Sequence, residues 1–573
     1  MQAWSGVSAL GVFGFLLPGR DDTDPLQNPR SAAAWLHDLP ALDVMERQQQ
    51  VMQAFQGMRQ SQKPIDLPRI NAIGFLDAAL GADRRQLIKQ YVENFEASSA
   101  LSDRLWQALQ ELTQAFIYAY RAAVDAAQTP AGGPRAKSAL PALFARLIHF
   151  HATDAKLRVF RFERWIPAKW MEVHELYERA VSLGIDRTPA TAIGAGPNTA
   201  QWTVEQEFVN VLLIHQLNTG NLTPAEVDWA SAQLRGWSRR LALDVGPRSA
   251  DGFYVRLSGK TGLVRRSGNE SGSMLRYLDT TELANQLDGA IISLRRAEVA
   301  SDGKASSINV QRLSILERVR PSVAPNLNAE LRRDPRVPVE VEAKVRVGLA
   351  RICRDLTTES MGGAIPADAT EHIEVYAVND GSRPRRQVQD ERDSVLASLS
   401  AFSEPTWQVK DRSIAGLRIA ASGGIGQSLA LGTLVAVRQS DVGGWMVGVV
   451  RRLNKVSKDD VEAGLAVIAQ RIVPVSLNAR RDDVDTGMEV DGLDTTTIGA
   501  RFDGLYLPPP SRPDQPLSVK TVIVPTTEYV NGRRIVLSTG RSVYTVALRT
   551  LIEQRADWTW CAIQIVEKQS RVQ

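Results

Sequence analysis

The spacing of apolar residues changes once along this chain, near residue 246, and that change limits the fold more than any other feature. Up to about residue 240 apolar residues recur every three or four positions. Val44, Val51, Phe55 and Met58 share one helical face, and Leu105, Leu109, Leu112, Phe116 and Tyr120 share another. Trp170, Val173, Tyr177 and Val181 form a third stripe, which meets Gly184, a natural helix stop. Thr223-Pro224-Ala225-Glu226 sets a hydroxyl at the N-cap, proline at N1 and glutamate at N3, opening a helix through Val227, Leu234 and Trp237. Beyond 246 short alternating segments broken by glycine take over, the pattern of strands. At 573 residues the chain is long enough for several domains. The expected fold class is therefore α+β and multidomain: an N-terminal all-α bundle or array, then a small antiparallel β-barrel, then a further β-rich C-terminal module.

Boundaries follow from the same pattern. Residues 1–30 read as a disordered or docked leader: the apolar run AWSGVSALGVFGFLL at 3–17 has no basic residue before it and no small-x-small site after it. Residues 31–245 form the helical scaffold. Residues 246–300 form a small mixed module: a hairpin from FYVRLSG (253–259) and TGLVRRSG (261–268), then a helix capped at Asp279–Glu282. A polar connector is expected over 301–328, with a short helix near Leu313–Val319, followed by the barrel at 329–480 and the C-terminal module at 481–573. In that module Asn531-Gly532 marks a hairpin, and Trp558 and Trp560, two apart, face one side of a strand as core.

Composition removes several functions. With 68 basic against 64 acidic residues the net charge is only +4, too balanced for a nucleic-acid coat or a polybasic membrane anchor. Thirteen of the 68 basic residues are lysine, so 55 are arginine, the side chain whose planar fork suits phosphate and guanine. Cys353 and Cys561 are too few for a disulfide framework or a cysteine metal site, which fits a reducing compartment and a cytoplasmic protein. His149 and His151 diverge on a helix, and His174 in HELYE lacks the second histidine of a zinc-protease motif. Gly259-Lys260-Thr261 lacks the earlier glycine of a phosphate loop, since Tyr254 stands there. With no nucleophile–base pair, carboxylate dyad or metal set, the expectation is a protein that binds and does not catalyse, without cofactor or metal.

One pair of motifs carries specific chemistry. LRRDPRVPVEVEAKVRVGLARI begins at Leu331, so Arg332, Arg333 and Arg336 precede an alternating strand on an arm that Pro335 and Pro338 keep extended. Later, VKDRSIAGLRIA places Asp411, Ser413 and Gly416 as D-x-S-x-x-G at the mouth of another strand. GWMVGVVRRL (444–453) and EAGLAVI (462–468) follow as further strands. Arginine grips phosphate oxygens and reads guanine O6 and N7, while a carboxylate accepts from guanine N1–H and N2–H. A serine hydroxyl adds a small partner, and glycine lets a base approach the backbone.

Over about 330–475 this arrangement resembles the PilZ domain, the bacterial receptor module for cyclic di-GMP, whose signature is R-x-x-x-R before the first strand and [D/N]-x-[S/A]-x-x-G on the barrel. The resemblance implies a PilZ-like barrel binding cyclic di-GMP through Arg332, Arg333, Arg336, Asp411, Ser413 and Gly416. It implies an effector that couples the nucleotide to a protein partner through the helical half, with motility, adhesion or exopolysaccharide as output. No nucleic acid and no stable membrane insertion are expected. The alternative is an interaction scaffold whose barrel has lost its ligand. Arg336 and Asp411 are 75 residues apart, more than the family usually places between its motifs. The excess reads as a surface insertion at 352–405 that includes the basic cluster Arg383–Arg386 and a helix at 395–402.

Overall fold

Capping side chains set where the first helices begin. In the computed structural model Asn28 accepts from the backbone N–H groups of Arg30 and Ser31 and opens α1 (Pro29–Asp38), while Asp43 and Glu46 close a reciprocal capping box on α2 (Val44–Gln60). The structure describes residues 24–39, 43–61, 63–95, 99–130, 133–194, 200–268, 270–300, 307–326, 336–362, 407–422, 429–457, 460–479, 501–508, 520–538 and 542–570. The chain divides into two units: residues up to 159 with 165–216 and 224–326, and residues 160–164 and 217–223 with 327 onward. Of the expected leader, 1–23 lies outside the described residues. Leu26 is buried and Asp24 pairs with Arg69, so the end of that segment is docked.

The first unit continues with α3 (Leu67–Ala79), α4 (Gly81–Asn94), α5 (Ser99–Gln128), α6 (Gly133–Ser138), α7 (Leu140–Phe160), α8 (Pro167–Ser182), α9 (Val204–Gln216) and α10 (Pro224–Trp237). The stripes read from the sequence face inward: Val51, Phe55, Leu105, Leu109, Leu112, Phe116, Tyr120, Trp170, Val173 and Tyr177 are all buried. Phe116 stacks on Phe150 with centroids 4.6 Å apart. Beside that stack, Asp77 on α3 accepts from Arg84 at 2.6 Å, from Arg146 at 2.8 and 2.9 Å and from the Tyr120 hydroxyl at 2.6 Å. The same two guanidiniums lie over the Phe150 ring. Glu207 on α9 similarly holds Arg235 with both oxygens, at 2.5 and 2.9 Å.

A four-stranded sheet of order β1-β4-β2-β3 follows, from β1 (Leu243–Asp244), β2 (Phe253–Arg256), β3 (Val264–Arg265) and β4 (Leu275–Leu278). Strands β2 and β3 pair antiparallel, and Gly259-Lys260-Thr261 lies between them. Gly259 O accepts from His174 Nδ1 at 3.2 Å. Helices α11 (Thr281–Ala300) and α12 (Ser307–Val323) pack on each other, with Arg320 on Asp288 and Arg295 on Glu317. This corrects the connector expected over 301–328. Ile315, Leu316, Val319 and Val323 are buried, and Gly252 N donates to Pro325 O, so 307–326 is part of the module.

The second unit holds two closed antiparallel barrels. The first is β5 (Val337–Val347), β6 (Trp407–Arg412), β7 (Gly416–Ala421), β8 (Leu434–Gln439), β9 (Trp445–Lys455) and β10 (Val461–Ala469), with α13 (Leu349–Gly362) between β5 and β6. The second is β11 (Val473–Ala479), β12 (Arg501–Leu507), β13 (Thr521–Pro525), β14 (Arg534–Ser538), β15 (Ser542–Gln554) and β16 (Trp558–Ser570). The barrels therefore meet at 470–472, not at 480. Around the first barrel the strands run β5-β6-β7-β10-β9-β8, and around the second β11-β12-β13-β16-β15-β14, so the connectivity is identical. Residues 160–164 and 217–223 lie against β9, whose Leu453 and Lys455 N–H groups donate to Gly220 O and Phe162 O.

Helix α13 also corrects the reading of 352–405 as a surface insertion from its first residue. Leu349, Ile352, Cys353 and Leu356 are buried in one cluster with residues of both barrels. The remainder, from 363 through Arg383–Arg386 and 395–402, lies outside the described residues. Trp558 is fully buried and Trp560 packs against the same cluster.

Two outcomes follow for the first unit. His174 is pushed down to about 4 by burial. Burial raises Asp77 and Glu207, but Arg146 and Arg84 outweigh it at the first and Arg235 at the second, leaving both at about 2. The unfolded chain binds a proton on histidine below about 6.5 and on carboxylates below about 4. The folded unit takes up neither until lower pH, so stability falls from about pH 6.5 to 4 and again from about 4 to 2, read as Tm against pH. Asp77→Ala strands Arg84 and Arg146 without their anion and lowers the unfolding free energy by about 3–5 kcal/mol in a denaturant titration.

Candidate functional site

The site is built on the outer surface of the first barrel, where β5 begins and β6 turns into β7. Asp411 lies opposite Pro338 on β5 and Arg418 on β7. Arg336, the residue before β5, is thereby brought back across 75 residues: its Nη1 donates to Asp411 Oδ1 at 2.8 Å. The other carboxylate oxygen, Oδ2, is 2.7 Å from Nε of Arg418. Arg418 also stands 3.8 Å from Glu462 on β10. One carboxylate thus ties two guanidiniums, and both are partly open to solvent, at 35% for Arg336 and 44% for Arg418.

The turn is held by its own backbone. Ser413 N donates to Gly416 O at 2.8 Å, and Val467 N on β10 donates to Ala415 O. Gly416 is buried, and its need for glycine is one of space. A Cβ there would sit 3.1 Å from Leu465 O, 3.6 Å from Arg336 Nη2 and 3.7 Å from Ser413 Oγ. A Cβ at 416 would therefore crowd the Leu465 carbonyl, while meeting the arginine and the serine at ordinary contact distance. Further along β6 the arginine pairing repeats, with Arg412 on Asp441 at 2.7 Å and on Gln439 at 3.2 Å.

Of the expected site residues the structure brings Arg336, Asp411, Ser413 and Gly416 to one place. Arg332 and Arg333 lie outside the described residues. Sequence reading missed Arg418 and Glu462. The signal was present: Arg418 is two residues beyond Gly416 on an alternating strand, and Glu462 is two residues from Gly464, its cross-strand partner. Among the described residues no group of three His, Cys, Asp or Glu is placed to hold a metal ion, and no helix is long and apolar enough to cross a membrane.

The same row can be followed in the second barrel by register. Pro338, Asp411, Arg418 and Gly464 lie side by side across β5, β6, β7 and β10; Pro474, Leu505, Ile523 and Trp560 do so across β11, β12, β13 and β16. The sequences entering the first strand also match, as Val337-Pro338-Val339 and Val473-Pro474-Val475.

Residues 30–248 match the family model described as the cyclic-di-GMP receptor FimW, N-terminal domain. The likeness spans α1 to α10 and β1 and ends before either barrel. No curated protein matches the sequence.

Exposed arginine–carboxylate pairs contribute little to folding, commonly below about 1 kcal/mol each. Arg336→Gln, which leaves Asp411 its Arg418 partner, is accordingly expected to change the unfolding free energy by no more than about 1 kcal/mol in a denaturant titration.

Proposed function

We propose that the chain is a cyclic di-GMP effector whose first barrel is a PilZ-like nucleotide site. The observation that carries this reading is the match of 30–248 to a domain of a cyclic di-GMP receptor, because those residues played no part in the motif argument. Two separate stretches of sequence thus support one ligand.

The ligand is a dianion with two guanines. In this reading Arg336 takes phosphate oxygens or guanine O6 and N7, and Asp411 accepts from guanine N1–H and N2–H. Ser413 offers a hydroxyl beside them, and Gly416 leaves room for a base. Both oxygens of Asp411 already hold an arginine, so binding is an exchange. The guanine edge takes a place on the carboxylate, and the released guanidinium turns to a phosphate. Exposed pairs surrender cheaply, which suits reversible sensing.

In this reading the protein acts by recognition and not by catalysis, in the cytoplasm, and passes the signal through its helical unit to a protein partner that governs motility, adhesion or polysaccharide output. Coupling requires the nucleotide to bind one arrangement of the chain more tightly than another. A second reading, a scaffold with a silent barrel, is favoured by the saturation of Asp411 and is decided by the same measurement.

Calorimetric titration with cyclic di-GMP should give a micromolar Kd, about −8 kcal/mol, for the full chain. At a hundredfold excess over Kd the nucleotide should add about 2.7 kcal/mol to stability. Arg336→Ala and Asp411→Ala should each weaken binding at least about tenfold. Absence of heat with the unaltered protein removes the nucleotide reading; equal affinity in all three proteins removes the site assignment.

A further inference from the structure

We propose that the second barrel is a duplicate of the first whose ligand row has been converted into a docking row, so that the chain carries one nucleotide face and not two. The nucleotide part of this inference rests on the function proposed above; the docking part rests on the structure of the second unit alone.

The first ground is topology. Two six-stranded closed barrels, consecutive in the chain, share the same strand order and the same antiparallel pairing throughout. Both also enter their first strand through the same Val-Pro-Val, with proline opposite the residue that defines the row. Closed barrels of six strands admit many connectivities, and a duplicated unit accounts for this coincidence directly.

The second ground is what the row contains. Register equates Asp411 with Leu505, Arg418 with Ile523, Glu462 with Trp558 and Gly464 with Trp560, and Arg336 and Ile472 each stand two residues before the matched prolines. The four charged positions have all become apolar together. The five residues of the second barrel belong to one apolar cluster, with Leu505, Ile523 and Trp558 fully or almost fully buried and Ile472 and Trp560 packed against them. Their partners there are Leu349, Ile352, Cys353 and Leu356 of α13, with Leu434, Ala436, Val447 and Val449 of β8 and β9. The side chain of Trp558 also donates from Nε1 to Gly432 O at 3.1 Å. The Trp558 N–H is thereby spent on the backbone and the Trp560 N–H is buried, so the row offers a phosphate or guanine edge no charged group.

A rim of charge completes the seam. Arg451 on β9 grips Glu553 on β15 with two bonds at 2.7 and 2.5 Å, and Arg555 reaches the same carboxylate. Apolar centre and polar rim together are the anatomy of a stable interface. The face that reads the ligand in one barrel is thus the face that holds the two barrels together in the other.

The test uses the full chain. Replacing the row of the first barrel by what the second contains, Asp411→Leu with Arg418→Ile, should abolish the calorimetric response to cyclic di-GMP, with no residual second site. Hydrogen exchange of the α13 peptide 349–362 should stay unchanged in that variant. Leu505→Asp should raise exchange in 349–362; should it fail to fold, Leu505→Ala serves, with raised exchange in α13 and nucleotide affinity within twofold of the unaltered chain. Binding that persists in the double variant places a ligand on the second barrel and overturns the single face. Unchanged exchange in α13 for both Leu505 variants overturns the docking row. A silent unaltered chain removes the proposed function and the single nucleotide face with it, while the exchange measurements still decide the docking row.

Discussion

A closed barrel has no free strand edge, so it cannot recognise a partner by adding a strand and must use its side chains and the segments that join its strands. That constraint governs the second unit of this protein. An outward row can stay polar and meet solvent or ligand, or it can become apolar and be covered. The first barrel takes the former course with Asp411 between Arg336 and Arg418. The second takes the latter with Leu505 and Ile523, at the same register and fully buried. Strand order and pairing are common to both, so side-chain chemistry separates the polar row of one from the seam of the other.

Arginine–carboxylate chemistry serves two ends in the chain, and burial decides which. At Asp77 both guanidiniums and a tyrosine hydroxyl converge on a carboxylate that is 3% exposed, backed by the Phe116–Phe150 stack. Losing one partner there leaves a charge in a poor solvent, so the cluster acts as a fixed part of the helical core. At Asp411 the same one-to-two arrangement stands at the surface. There the carboxylate is 13% exposed and its arginines 35% and 44%, so the pairing lies nearer to water than at Asp77. An excess of arginine over lysine favours both uses, since one planar fork can hold a buried carboxylate or reach a phosphate.

Much of this was legible in the sequence, for reasons that differ by element. The stripes of α2, α5 and α8 face the core because a 3.6-residue period leaves an amphipathic helix little choice. The meeting of Arg336 with Asp411 was legible because each sits beside a strand end, where a short turn fixes geometry locally. Arg418 went unread because it reaches the site through strand pairing, which a motif does not record. Helix α13 falls where the motif spacing suggests an insertion, although Leu349, Ile352, Cys353 and Leu356 keep helical spacing. Its burial depends on a second barrel that begins more than a hundred residues later. In the sequence the second barrel shows only as a β-rich module. The repeat hides because β6 and β7 are joined by three residues while β12 and β13 are separated by thirteen. Its equivalent positions have also exchanged charge for hydrocarbon, which removes the resemblance at the places a reader compares.

The conversion of one row and not the other has a physical rationale. Leu434, Ala436, Val447 and Val449 leave the first barrel with an apolar outer face along β8 and β9, which solvent would penalise. Helix α13 supplies part of the cover, presenting one apolar stripe. The rest must come from a second surface of matching character, and a duplicate barrel that kept its arginines and aspartate would bury charge against that face without partners. Once Ile472, Leu505, Ile523, Trp558 and Trp560 occupy the row, the duplicate closes the gap and loses its capacity for an anion in the same step. The first barrel then has support on its β8–β9 side while the opposite flank of its ring, β6 and β7, keeps the polar row. A polar row whose ion pairs contribute little to folding benefits from such backing, because the barrel then draws its stability from the far side and not from the pairs of Asp411.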